Sequence, residues 1–263
     1  MYKRALLRSK EAESPLRPLL DTSNKVSQSR DILGFYKSPE VDWARPLHCS
    51  LAGDPAVGIG VQRHFLNLAV EKLQQGFHVH SDMTNVTLLF EGEDDHLLPS
   101  TSESIIDIDL FIVAGRIIGH SFLHGGPPLY GLSEAVVQMV VQGTADMSSM
   151  TVRDVADFDL RGTIKMLDGE AELTGAEVDQ INQLALSWDL PPLSSGNRQY
   201  LYQKLLKHAV LVRRSRQVKQ IRKGLKETNV LPMLKERPDT AEVLFPRAAS
   251  VLDCLTLSIL YVK

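Results

Sequence analysis

From Ile105 to Ile118 the chain runs through isoleucine, leucine, phenylalanine, valine and alanine with few breaks, and any fold it adopts must bury this segment. Periodicity alone does not separate a core helix from a buried strand here. The absence of an internal proline and a length above about 12 residues favour a helix. Gly115 and Gly119, with Ser121 two positions on, offer small surfaces where a second element can approach closely. Arg116 and His120 interrupt the run, which falls short of the roughly 20 apolar residues that cross a bilayer.

Other elements fall around this core. LHCSLAG, just after Pro46, has strand character, and DPAVGIG supplies a loop. Phe65, Leu66, Ala69, Val70 and Leu73 then recur at helical spacing up to a capping Gly76. Val86 to Phe90 reads as a short strand before an EGEDD turn, and Ser133 opens a helix that ends at Gly143. Asp154, Asp157 and Asp159 lead into a helix through Ile164. Thr174 and Glu177 have the spacing of a reciprocal capping box. The longest helix expected runs from about Arg198 to Lys226, with Leu201, Leu205, His208, Val212, Val218, Ile221 and Leu225 as its apolar stripe. Two short helices follow, over VLPMLKE and from about Ala248 to Tyr261. Residues 1–40, rich in Ser, Arg, Lys, Glu and Pro with scattered aliphatics, read as a flexible leader with room for one short helix.

Composition excludes extremes. With 263 residues, 43% hydrophobic and 23% charged, the chain can build one large domain with a smaller appended subdomain. A net charge of -3 gives no global attraction to nucleic acid or to an anionic membrane. The amino-terminal residues lack the hydrophobic core of a secretory signal. Two distant thiols, Cys49 and Cys254, fit a reducing compartment, so an intracellular protein of the cytoplasm or nucleus is expected, without a disulfide.

No constellation of polar residues announces chemistry. His78 and His80 with Asp82, and His120 with His124, have spacings a metal could use, but HGGPP reads as a helix end and no fourth ligand is in view. GHSFL lacks the final glycine of a nucleophile elbow, and the glycines of GDPAVGIG lack the lysine and hydroxyl pair of a phosphate loop. From Lys204 to Lys226 the chain is basic with no acidic residue. Arg213, Arg214, Arg216 and Lys219 are the candidates there for contact with an acidic partner, against the plainer reading of a solvated helix face. Aromatic residues for stacking on bases are missing from the middle of this stretch, which argues against nucleic acid.

Four segments in order carry a family resemblance: SLAGDPAVGIGVQRHFLNLAVEKLQ, then LLFEG with LLPS, then VAGRIIGHSFLHGGPPL, and last AVLVRRSRQVKQIRKGLKETNVLPMLKERPDTAEVLFP. Together, over about Leu47 to Leu260, they resemble the N-terminal lobe of a HECT-type ubiquitin ligase domain, in the divergent branch that includes the G2/M-phase-specific ligases. The resemblance implies an α+β, mainly helical lobe over residues 41–263. The small subdomain, on which a ubiquitin-conjugating enzyme docks in the family, is here reduced to about 168–197. It also implies ubiquitin transfer to protein lysines, with the conjugating enzyme, ubiquitin and a protein substrate as partners, and no cofactor or metal.

Catalysis in that family is a relay through a cysteine of a C-terminal lobe, which accepts ubiquitin as a thioester and yields it to a lysine. The match ends near Leu260, about where that lobe would begin. The chain is therefore expected to be a truncated ligase, inactive alone. Cys254 is the one cysteine whose neighbours superficially resemble the catalytic one, but its apolar setting, without an adjacent base or cation, reads first as that of an inert core thiol. The alternative expectation is a catalytically inactive HECT-like module that binds an acidic partner through the basic helix 204–226.

Overall fold

A computed structural model describes residues 2–79, 85–144 and 149–247. Its centre is the apolar segment singled out above. The expected single element from Ile105 to Ile118 is divided in two: a short helix α4 (Glu103–Asp107) and the central helix α5 (Leu110–His124). Asp109 adopts a left-handed conformation (φ 59°) at the junction, and Gly125 closes α5 in the same region (φ 74°). Leu110, Phe111, Val113, Ala114, Ile117, Ile118 and Leu123 of α5 are buried, as expected of a helix apolar on all sides.

The most extensive helix–helix contact is between α5 and α10 (Ser215–Glu227). Val218, Ile221 and Leu225, spaced three and four apart, form the buried stripe of α10. The glycines explain the intimacy. A side-chain carbon on Gly115 would strike the Ile221 carbonyl, one on Gly119 would strike the Thr228 hydroxyl, and one on Gly224 would strike the Ile112 carbonyl. Around this pair pack α3 (Ile59–Gln75), α6 (Glu134–Gln142) and α11 (Val230–Glu236), and α12 (Ala241–Leu244) follows. The helix expected from about Ala248 lies outside the described residues.

Strand structure is sparse. Leu19–Leu20 (β1) pairs in parallel with Ser50–Leu51 (β2). Phe90–Glu91 (β3) pairs antiparallel with Leu98–Pro99 (β4), Phe90 opposite Pro99. The expected strand from Val86 is realised only at its end, with an isolated bridge from Thr87 to Phe77.

Two expectations need correction. Residues 1–40 are not a flexible leader: they form α1 (Tyr2–Ser9), β1 and α2 (Lys25–Lys37). The few aliphatics of this polar stretch are placed to be buried. Ile32, Leu33 and Tyr36 fall on one face of α2, which packs against α5, and Leu16 and Leu20 are buried beside them. Asn24 caps α2, its Oδ1 accepting the Ser27 N–H at 2.8 Å. Average composition hid a correctly spaced stripe.

The second correction concerns the long basic helix. α9 (Arg198–Val210) stops, a single 3-10 turn covers Val212–Arg214, and α10 starts afresh at Ser215. No glycine or proline marks the break. The break coincides with the burial of Arg214, whose guanidinium the turn carries into the interior, where the Pro99 and Ala209 carbonyls receive it.

Upstream of α9 lies a small helical subdomain. Asp157 caps α7 (Phe158–Lys165), and its carboxylate accepts the N–H groups of Asp159 and Leu160. Then α8 (Gly175–Ser187) begins at the Thr174 capping box: the Glu177 N–H donates to Thr174 Oγ1 at 3.3 Å, and the Thr174 N–H donates to Glu177 Oε2 at 2.7 Å. The stretch 168–197, expected to be a reduced small subdomain, holds one helix and its flanking loops, with α8 packed on α7 and α7 on α9.

Candidate functional site

The structure separates the four basic candidates. Arg214 is buried: it donates from Nε to the Pro99 carbonyl at 2.9 Å, from Nη1 to the Ala209 carbonyl, and from Nη2 to Glu91 at 2.6 Å. It ties α9 and α10 to the β3–β4 hairpin and is withdrawn from any partner, which corrects its place among the contact candidates. Arg216 pairs with Glu103 at 2.5 Å and lies near Asp107, docking α10 on α4. Arg213 and Lys219 remain exposed, with no ion pair among the described residues. Arg222, further along α10, turns inward to donate to the Met139 and Val140 carbonyls at the end of α6.

Of the histidine pairs, His80 and Asp82 lie outside the described residues. His120 and His124 do share one face of α5, with ring centroids 4.6 Å apart. One ring nitrogen of each is hydrogen-bonded within the protein: His120 Nδ1 shares a hydrogen bond of 2.8 Å with the Tyr36 hydroxyl, and His124 Nε2 donates to the Trp43 carbonyl at 2.9 Å, while His120 Nε2 is buried without a hydrogen-bond partner among the described residues. Burial, reinforced by the neighbouring His124, holds His120 well below the usual histidine range, and burial lowers His124 as well. Tyr36, Trp43, Phe35 and Phe65 surround them in edge-on and stacked contacts. Among the described residues no group of three His, Cys, Asp or Glu side chains could hold a metal. This cluster is a polar knot in an aromatic core. Cys49 is buried beside it and burial pushes its thiol up to about 12, which disfavours the reactive thiolate. Cys254 lies outside the described residues.

The three helices α7, α8 and α9 pack together through buried side chains and hydrogen bonds. Their interior is fixed: Ile164, Ile181, Ala185 and Leu201 are buried, and Gln180 Nε2 donates to Thr163 Oγ1 at 2.7 Å between α8 and α7. The Arg198 guanidinium, at the start of α9, donates to the carbonyls of Met166, Leu167 and Ala171, closing the segment between α7 and α8. Leu193 N–H donates to Asn182 Oδ1 at 2.7 Å, which pins the loop after α8 back on that helix. Trp188 stacks on His208 at 4.2 Å, and burial lowers the His208 pKa, with a smaller push from the Arg213 charge.

On this rigid frame each of the three helices leaves one large apolar side chain in solvent: Phe158 on α7 (75% exposed), Leu186 on α8 (61%) and Tyr200 on α9 (46%). Sequence reasoning missed all three. A signal existed for Leu186, which lies off the Ile181–Ala185 stripe that α8 buries. Phe158 follows its helix cap directly, and nothing in the sequence separates it from a core residue. No helix of the described residues is long and apolar enough to cross a membrane.

Comparison with known proteins places the chain at a distance from one of them. No family model matches it. Over 161 residues, 60% of this chain, it is 29% identical to a G2/M phase-specific E3 ubiquitin-protein ligase of Gallus gallus. The chain spans 21% of the length of that relative. A distant relationship to an E3 ubiquitin-protein ligase follows at this coarse level.

Proposed function

We propose that the chain is the N-terminal, HECT-like lobe of a ubiquitin ligase and acts as a scaffold for a ubiquitin-conjugating enzyme in the transfer of ubiquitin to protein lysines. The observation that carries this reading is the subdomain α7–α9, whose backbone is locked by Arg198 and Asn182 while Phe158, Leu186 and Tyr200 stand in solvent. A rigid frame with isolated apolar anchors is what a transient docking surface needs, since little ordering entropy is lost on binding. The relationship to an E3 ligase and the order of the four sequence segments support the choice of partner.

In this reading the lobe contributes position rather than covalent chemistry. The thioester passes to a cysteine thiolate, whose sulfur attacks the thioester carbonyl and expels the conjugating enzyme's thiolate; a substrate lysine's neutral amine then attacks the new thioester, forms the amide, expels that cysteine thiolate and gives up a proton. Cys49 is too buried and too basic for that step. The lobe supplies proximity by holding the charged conjugating enzyme where an acceptor thiol can reach it. Binding of ubiquitin-charged conjugating enzymes to the chain, with Leu186→Asp and Phe158→Asp as variants, tests the proposal.

A second reading, an inactive HECT-like module that binds an acidic partner through its basic segment, now rests on Arg213 and Lys219 with Lys223 and Lys226, all exposed on α10 or the turn before it. Arg213→Glu with Lys219→Glu abolishes partner binding in that case, and salt weakens it.

A further inference from the structure

The amino-terminal segment borders a cleft of about 800 Å³. One wall is α1, the other is the strand around β2 and the start of α3. Arg4 and Arg8, one helical turn apart on α1, both line it, with Arg17 and His48. Glu11 is the one acidic lining residue. None of the three arginines has an ion pair or side-chain hydrogen bond among the described residues, whereas Lys10 and Arg45 nearby are paired with Glu13 and Asp42. Gly58, the cap residue of α3, offers no capping side chain, so the positive end of that helix adds to the same field.

The strand in this cleft has one edge without backbone hydrogen-bond partners among the described residues, and Leu47 and Cys49 on it are each 4% exposed. The N–H groups of His48, Ser50 and Ala52 donate to Leu16, Pro18 and Leu20, and the Pro46 carbonyl accepts from Leu16, so alternate backbone groups from residue 46 to 52 face β1. Those of Leu47 and Cys49 must point the other way, because backbone groups alternate sides along a strand. Neither residue has a backbone hydrogen bond among the described residues, and both line the cleft. At its rim Val57 and Ile59 are 80% and 68% exposed. An unpaired strand edge is a template for a further strand.

We infer that this cleft binds an extended acidic segment of a protein partner, which adds a third strand beside Leu47–Cys49 and sets its carboxylates against Arg4, Arg8 and Arg17. Backbone pairing sets the register, Val57 and Ile59 cover alternate apolar side chains, and the arginines supply the sign of charge. The inference is independent of the role proposed for α7–α9.

A fluorescein-labelled peptide of alternating glutamate and valine tests it by anisotropy against the whole chain. Saturable binding is expected, weaker in high salt, and at least roughly tenfold weaker to the triple variant Arg4→Glu, Arg8→Glu, Arg17→Glu. These side chains are exposed, and an unchanged melting temperature verifies that the triple variant is folded. Methylating every second peptide nitrogen in the two possible registers discriminates strand addition from charge attraction: one register abolishes binding and the other leaves it. No saturable binding, binding unchanged in the triple variant, or two methylated peptides that bind like the parent each overturn the inference. So does self-association of the chain that the triple variant abolishes while no peptide binds, which assigns the cleft to a second copy.

Discussion

Gly224 on α10 lies against Gly115 on α5 so closely that a side-chain carbon on Gly224 would stand 2.8 Å from the Gly115 carbonyl carbon. The obstacle is backbone, which cannot rotate away. Alanine at either position therefore pries the two central helices apart, against a helix-propensity gain of only about 1 kcal/mol. Gly115→Ala and Gly224→Ala are each expected to lose a net of about 2–3 kcal/mol. Gly162→Ala, on α7 where a side-chain carbon meets nothing within 4 Å, is neutral or slightly stabilising. Urea denaturation of the three variants checks the contrast.

The basic segment contains one structural arginine. Arg214→Met leaves the Pro99 and Ala209 carbonyls without their donor and Glu91 without its cation, and is expected to cost about 2–3 kcal/mol, the low side for a buried ion because Glu91 is partly exposed. Arg213→Ala changes stability by less than about 0.5 kcal/mol. Equal effects of the two substitutions in thermal or urea melts contradict the assignment.

The His120–Tyr36 knot predicts an acid sensitivity. Because burial holds the folded His120 pKa below the unfolded value, the unfolded chain takes up the proton first. Stability is full above about pH 6.5 and falls as the pH drops from there towards the folded pKa of His120, by up to about 1.4 kcal/mol per pH unit for each such group. His124 and His208, also lowered, add to the slope in the same direction. Urea midpoints at pH 7, 6 and 5 measure it, and His120→Phe gives a shallower slope whatever its stability at pH 7. An unchanged slope in that variant removes His120 as the cause.

What the sequence made legible was local. The Gly76 and Gly143 helix ends, the Thr174–Glu177 capping box and the close approach at Gly115 and Gly119 are each written in a few adjacent residues, and each is present. What was illegible depends on partners distant in the chain. The break at Val212–Arg214 coincides with the reach of Arg214 to Pro99, 115 positions away. The helix α2 looked like part of a leader because its Ile32, Leu33 and Tyr36 find their cover on α5. The cleft was hidden by the same reading, since Arg4, Arg8 and Arg17 fell within the residues taken for a flexible leader. Phe158 and Tyr200 could not be told from core residues until the helices carrying them were oriented, whereas Leu186 lies off the Ile181–Ala185 stripe.

The central claim is that the α7–α9 surface docks a ubiquitin-conjugating enzyme, and the direct measurement is biolayer interferometry of the whole chain against a panel of ubiquitin-charged conjugating enzymes. The account predicts saturable binding to at least one of them, weakened roughly tenfold or more by Leu186→Asp or Phe158→Asp, exposed positions where folding is retained. Absence of binding across the panel by a chain that melts cooperatively, or binding indifferent to both substitutions, contradicts it.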